Sequence, residues 1–139
     1  MSVVVLDASA ALAWCFDDEL TPQTEALLRN VEAGGALVPG HWPTEVANAL
    51  LVTERRQRLK APAVDGLLQL IASLPISIDG RAATNLTGSL LTLAREQSLT
   101  AYDAAYVELA RHNGPPLATL DRPMARAARH LGVALALEP

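Results

Sequence analysis

The sequence is poor in the residues that would commit it to several common protein classes. Cysteine occurs once, at Cys15, so neither an intrachain disulfide nor a thiolate metal cluster can form. No apolar run reaches about 18 residues, so no segment is expected to span a bilayer. The N-terminal MSVVVLDAS has no basic region ahead of its apolar run and an Asp directly after it, the mark of a first strand and not of a signal peptide. With no export signal and no disulfide framework, a cytoplasmic location is the expectation. Charged residues make up 19% of the chain, too few for a disordered polar tail, and aromatics only 4%. The net charge of -4 neither requires nor excludes a nucleic-acid partner. Bound phosphates would need local basic groups or cations to overcome the overall sign.

What is abundant is apolar surface, 50% of 139 residues, interrupted regularly by helix and strand breakers. Val3 to Leu6 is a continuous β-branched run ending at Asp7, as in a strand buried on both faces. Helices are expected over 8–16, 22–33, 43–57, 62–73, 81–96, 101–112 and 122–131. Gly34-Gly35 stops the second of these, and Pro43 fits only near the start of the third. Val46, Ala49, Leu50 and Thr53 share one side of helix 43–57; Val64, Leu67, Leu68 and Ile71 form the stripe of 62–73. Leu86, Leu90, Leu93 and Ala94 do the same in 81–96. Short strands are expected at 36–38, 76–78 and 117–120, with an edge strand at 133–137. Strands repeatedly separated by helices imply an α/β fold with a mainly parallel sheet and helices on both faces. No composition shift or repeat divides residues 1–139, which read as one domain.

Four acids fall at the places where such a fold builds sites. Asp7 and Asp121 follow apolar strands, at the sheet edge where ligands bind. Glu45 and Asp103 lie near helix starts, where free N–H groups favour ionised carboxylates. Each also has a local explanation. Asp7 and Asp121 suit helix N-caps, Thr100 and Asp103 a shortened capping box, and Glu45 an ordinary first turn. Clustered carboxylates repel one another unless a cation intervenes, and Mg²⁺ or Mn²⁺ prefers all-oxygen ligands. His41, His112 and His130 have neither close spacing nor a Cys partner, so they read as surface, cap or core residues.

Four segments carry a family resemblance: VVVLDASAALAW at 3–14, PTEVANAL at 43–50, LTAYDAAYVELA at 99–110 and LATLDRPMARAARHLGV at 117–133. Their order, with an acid in each, resembles a PIN domain, and within that superfamily the VapC-type toxins of toxin–antitoxin pairs. The resemblance spans nearly the whole chain. It implies a three-layer α/β/α sandwich and cleavage of RNA with Mg²⁺ or Mn²⁺. It assigns Asp7, Glu45, Asp103 and Asp121 as metal-associated acids, Asp121 the least direct, with Asn48, Ser9 and Thr119 as polar neighbours. Glu45 and Asn48 are three apart and share a helical face, which supports their pairing. Ser9 also suits a helix cap, and Thr119 a plain β-branched strand position. The expected reaction is hydrolysis of an RNA phosphodiester, with the cation orienting phosphate and activating water.

The resemblance further implies a homodimer and a small VapB-like antitoxin. The antitoxin's C-terminal segment would pack in a groove beside helix 43–57 and bring a basic side chain to the acids. Other residues have competing readings. Arg55, Arg56, Arg58 and Lys60 form the strongest basic run; it suits a solvated helix C-terminus better than a phosphate contact. Arg81 is a separate phosphate-binding candidate. Tyr102 and Tyr106, one turn apart, read as core packing ahead of base stacking, as do Trp14 and Trp42. A haloacid-dehalogenase-like phosphatase would require an acid at position 9, where Ser9 stands, and a receiver domain would require a further acid pair near Asp7. The remaining alternative is a catalytically silent PIN-like scaffold that binds RNA or protein, against which the intact acid set argues.

Overall fold

The computed structural model describes residues 2–81 and 88–139. Among these, five strands form one parallel sheet in the order β3-β2-β1-β4-β5. They are β1 (Val4–Leu6), β2 (Ala36–Val38), β3 (Ile76–Ile78), β4 (Leu117–Ala118) and β5 (Leu135–Leu137). The helices are α1 (Ala8–Leu12), α2 (Pro22–Gly34), α3 (Trp42–Arg55), α4 (Ala61–Ser73), α5 (Leu90–Gln97), α6 (Ala101–Asn113) and α7 (Arg122–His130). No described helix is long and apolar enough to cross a membrane.

The chain runs from β1 outward through β2 to β3, then returns to the other side of β1 for β4 and β5. Right-handed crossovers therefore place α1–α4 on one face and α5–α7 on the other, giving the α/β/α sandwich. The packing agrees: α1 meets α3 and α3 meets α4, while α6 packs on α5, α7, β1 and β4. The direction of winding reverses between β1 and β4, which makes their C-terminal ends the switch point where an open sheet forms its ligand crevice. β1 is central and wholly buried, the physical reason for its unbroken apolar run.

Local signals set the helix ends. Thr21 and Thr24 form a reciprocal capping box on α2, with Pro22 in its first turn. Gly35 ends α2 at φ 84°, and a Cβ there would stand 3.0 Å from the Pro75 carbonyl oxygen, so glycine is required both for the turn and for the approach of β3. Gly114 ends α6 in the left-handed conformation.

Several expected boundaries change. The first helix is α-helical only to Leu12, and Ala13–Cys15 tightens into a 3₁₀ turn. The helix expected over 81–96 is observed as Leu90–Gln97; Arg81 is not helical, and 82–87, including Leu86, lie outside the described residues. The fourth strand is two residues long; Thr119, just beyond it, still donates its backbone N–H to the Leu137 carbonyl at 3.3 Å while its hydroxyl joins a local network. The expected strand at 133–137 narrows to Leu135–Leu137, at the sheet edge. Leu68, assigned to the buried stripe of α4, is 47% exposed, whereas Val64 and Leu67 are buried. The α3 stripe holds, with Val46, Leu50 and Thr53 buried.

Candidate functional site

Asp7 occupies the N-cap position of α1, yet its side chain makes no capping hydrogen bond. It is 4% exposed, and one carboxylate oxygen accepts from two hydroxyls: Ser9 Oγ at 2.5 Å and Thr119 Oγ1 at 2.8 Å. Those hydroxyls are themselves polarised. Ser9 Oγ accepts from the Leu120 N–H at 3.0 Å, and Thr119 Oγ1 from the Asp121 N–H at 3.0 Å. Each hydroxyl has one proton, and the backbone donors leave it pointing at Asp7. Neither Ser9 nor Thr119 is thus confined to its plain reading: Ser9 lies inside α1 and ties it to the β4 end, and Thr119 joins the two strand-end aspartates.

Asp121 caps α7, accepting from the Met124 N–H at 3.0 Å, so its local explanation is correct as far as it goes. Asp103 sits in the first turn of α6, where Thr100 Oγ1 accepts from its backbone N–H at 3.1 Å. Glu45, in the first turn of α3, is held from across the crevice by the Tyr106 hydroxyl, which donates to its Oε1 at 2.6 Å. Tyr106 is fully buried and its phenol is pushed far above its usual range, by burial first and then by the bond to Glu45, so it stays protonated as a donor. Sequence reasoning missed this tie. The available signal was spacing: Tyr106 lies three residues after Asp103, on the same helical face.

The acids feel one another. Burial raises the Asp7 carboxyl from 3.8 to about 6; the Ser9 and Thr119 hydroxyls pull it down, while Glu45 and Asp103 push it further up. Asp103 is also raised, by burial and then by Asp121 and Glu45, with Thr100 and His41 opposing. Asp7, Glu45, Asp103 and Asp121 therefore share one electrostatic neighbourhood at the switch-point edge. Among the described residues, no three His, Cys, Asp or Glu side chains are arranged closely enough to hold a metal ion. The residues fit a hard divalent cation in donor chemistry, all oxygen and mutually repelling, while the ligand cage itself is not closed. Asn48 is exposed one turn along α3 and, with His41, Thr44, Glu45 and Tyr102, lines a cleft of about 270 Å³.

The profile describing the PIN domain matches residues 4–130, nearly the whole sheet and all its helices. This chain belongs to the PIN-domain family. Its homology extends to VapC proteins: it is 30% identical over 122 residues to a Pyrobaculum aerophilum protein named Ribonuclease VapC3, covering 88% of this chain and 92% of that one. It is 33% identical over 128 residues to Ribonuclease VapC3 of Mycobacterium tuberculosis, covering 89% and 86%. The crystal structure of PAE2754 from Pyrobaculum aerophilum superposes with a TM-score of 0.69, covering 99% of this chain and 83% of that one. At 23% identity that superposition speaks for the fold alone.

Within this PIN domain, other expected residues divide sharply. Arg81 is engaged by carboxylates: its Nε lies 3.1 Å from Asp79 Oδ1 and its terminal nitrogen 3.5 Å from the buried Glu108. Its reading as a phosphate-binding group therefore gains no support, since bound acids compete for the same guanidinium. Arg55, Arg56, Arg58 and Lys60 are exposed around the C-terminal end of α3, with Arg58 stacked on the Phe16 ring at 4.7 Å. Arg55 is ten residues beyond Glu45, about 15 Å along the helix axis, so the basic run does not flank the acids. Trp42 is buried and Trp14 donates to the Thr24 carbonyl at 2.9 Å, both as packing groups. Tyr102 corrects its reading as a core residue, because it is 65% exposed where α6 emerges at the crevice rim. His41 also stands at the site, with its ring edge-on to Tyr102 and Tyr106 at 5.4 and 5.3 Å. His112 and His130 are exposed, as expected.

Proposed function

We infer that this chain is a divalent-metal-dependent endoribonuclease and the toxin of a toxin–antitoxin pair. The observation that carries this reading is Asp7: a buried carboxylate, withdrawn from its helix cap, fixed by two polarised hydroxyls and repelled by Glu45 and Asp103. The names of the VapC ribonucleases to which the chain is similar supply the substrate class, RNA.

In this reading Asp7, Glu45 and Asp103 hold Mg²⁺ or Mn²⁺ directly or through water, and Asp121 assists from its capping position. The bound cation supplies positive charge that offsets the repulsion among the acids and stabilises charge developing on the phosphoryl oxygens. The chain's own residues supply orientation. Ser9 and Thr119 fix Asp7, the Tyr106 hydroxyl fixes one oxygen of Glu45, and Asn48 is placed to orient water or phosphate in the cleft it shares with Glu45. The assembly proposed with this activity is a cytoplasmic homodimer held inactive by a VapB-like antitoxin.

The test is cleavage of RNA by purified protein with Mg²⁺ or Mn²⁺, with excess EDTA as the control. Cleavage only with added metal is expected. Sustained cleavage in EDTA, with contaminating nuclease excluded by a folded Asp7→Asn preparation, removes the metal. Saturating binding of RNA with no cleavage under any metal condition would favour the scaffold alternative.

A further inference from the structure

Beside the acid cleft lies a second cavity, of about 250 Å³, walled by Pro39, His41, Asp79, Leu90, Tyr102 and Ala105. His41 and Tyr102 line both cavities, so the exposed Tyr102 side chain borders the Glu45 cleft as well as the second space. Exposing a large ring at 65% in a chain with 4% aromatics leaves apolar area in water that burial elsewhere would have removed. Its position is nevertheless fixed from behind. His41 packs edge-on against it and against the buried Tyr106, which is itself bonded to Glu45. The ring, the histidine and the acid cleft thus form one connected set. The second cavity is mostly apolar in its walls, with a single carboxylate, Asp79, whose Oδ1 accepts from Arg81 Nε at 3.1 Å. A carboxylate has about four lone-pair sites, so this one bond does not exhaust the acceptor capacity of Asp79, which borders the cavity.

We propose that this cavity receives the base of a single-stranded RNA nucleotide flanking the scissile phosphate, with Tyr102 as the stacking platform and Asp79 as the acceptor that selects the base. The proposal rests on the ribonuclease reading, which places phosphate at the acids. The chemistry of the space then names the occupant: a planar ring satisfies an aromatic and aliphatic slot, and unstacked bases bind on aromatic faces with their edges hydrogen-bonded. An acceptor-only group favours edges that carry an amine, as in guanine, adenine and cytosine. It opposes uracil, whose edge presents two carbonyls around one N–H. His41 acts here as a positioning residue for the Tyr102 ring.

The experiment uses the full chain and a random-sequence single-stranded RNA pool with Mg²⁺ or Mn²⁺, with RNA ends sequenced, followed by kinetics on short oligonucleotides drawn from the cleaved set. Wild type should disfavour uracil at one flanking position. Tyr102→Ala should raise KM by about tenfold with little change in kcat, a size within the range for losing one base–aromatic stack. Tyr102→Phe should keep the wild-type KM, because the ring and not the hydroxyl does the stacking, and Tyr102→Leu should not. Asp79→Asn, which offers a donor as well as an acceptor, should admit uracil at that position. Unchanged KM and unchanged base preference in Tyr102→Ala, with RNA still cleaved, overturn the base pocket and leave the ribonuclease standing. A loss confined to kcat also overturns it. Failure of wild type to bind or cleave any RNA in the pool overturns both together.

Discussion

The junctions β1–α1 and β4–α7 are built from the same local grammar and end in opposite states. Both run from an apolar strand into an aspartate at a helix N-cap position. Asp121 does what that grammar predicts and caps α7 through the Met124 N–H. Asp7 does not cap at all: it is withdrawn into the sheet edge, where Thr119, 112 residues away in sequence, and Ser9 hold it. The difference comes from position in the sheet. Asp7 directly follows the last residue of the central strand β1 and is buried with it, whereas Asp121 lies three residues beyond the end of β4 and stays half-buried over the start of its own helix. A cap is the default use of such an aspartate, and a buried carboxylate that does not cap bears the cost of desolvation without that local return.

Exchanging one residue at each junction can break this contrast. The largest effect is expected from Asp7→Asn. Metal-dependent RNA cleavage should fall by more than the ~100-fold that marks the upper range for residues acting through a ligand. The same variant should be more stable than wild type in the absence of metal. Folded Asp7 holds its proton up to about pH 6, against 3.8 for the ordinary group, so the folded state binds more protons between those values. Stability is therefore lost as pH rises through that window, and the deficit is complete above it. Removing the ionisation should raise the unfolding free energy by up to about 3 kcal/mol at about pH 7.5, and by nothing at about pH 3.5. Urea denaturation at both values reads this directly. A variant that is active, or no more stable at neutral pH, would return Asp7 to the ordinary class of caps.

Thr119→Val sharpens the contrast from the link between the junctions. It removes a donor to Asp7 and the acceptor for the Asp121 N–H. Cleavage should fall about 10- to 100-fold, the range for residues that orient a ligand. Because the lost bond favoured the ionised form, Asp7 should titrate higher, and the acid limb of the activity profile should move to higher pH. A uniform loss of activity with no change in that limb would reduce Thr119 to packing. The smallest effect is expected from Asp121→Ala. Loss of the α7 cap should cost roughly 1 kcal/mol, measured as a shift in the urea midpoint, with less loss of cleavage than Asp7→Asn. Activity losses of equal size at the two aspartates would erase the distinction drawn between them.

Much of the architecture could be read from residue order because the signals for it are local. The unbroken run before Asp7 is the signature of a two-sided buried strand, and Gly35, Gly114 and Pro22 punctuate helices through backbone geometry that only their own residue types satisfy readily. The four acids were legible for a similar reason: strand ends and helix starts are recognisable, and the parallel topology assigns them to one edge. The failures have a common cause. Leu68 and Tyr102 carry the right residue type for a core, but helical spacing does not say how wide the covered stripe is, and both fall outside it. Arg81 reads from residue order as a phosphate-binding candidate because one of its two carboxylate partners, Glu108, comes from the distant α6, although the other, Asp79, is only two residues away.

Sequence by itself determined the fold class, the alternation of strands and helices, and which carboxylates stand at element ends, since hydrophobic periodicity and chain-breaking residues act over a few positions. Only the tertiary structure decided which of those carboxylates is buried, which hydroxyls hold it and what charges surround it. Desolvation and Coulomb repulsion depend on distance in space, and residues 7, 45, 103 and 121 acquire a common environment only when β1, α3, α6 and β4 are packed together.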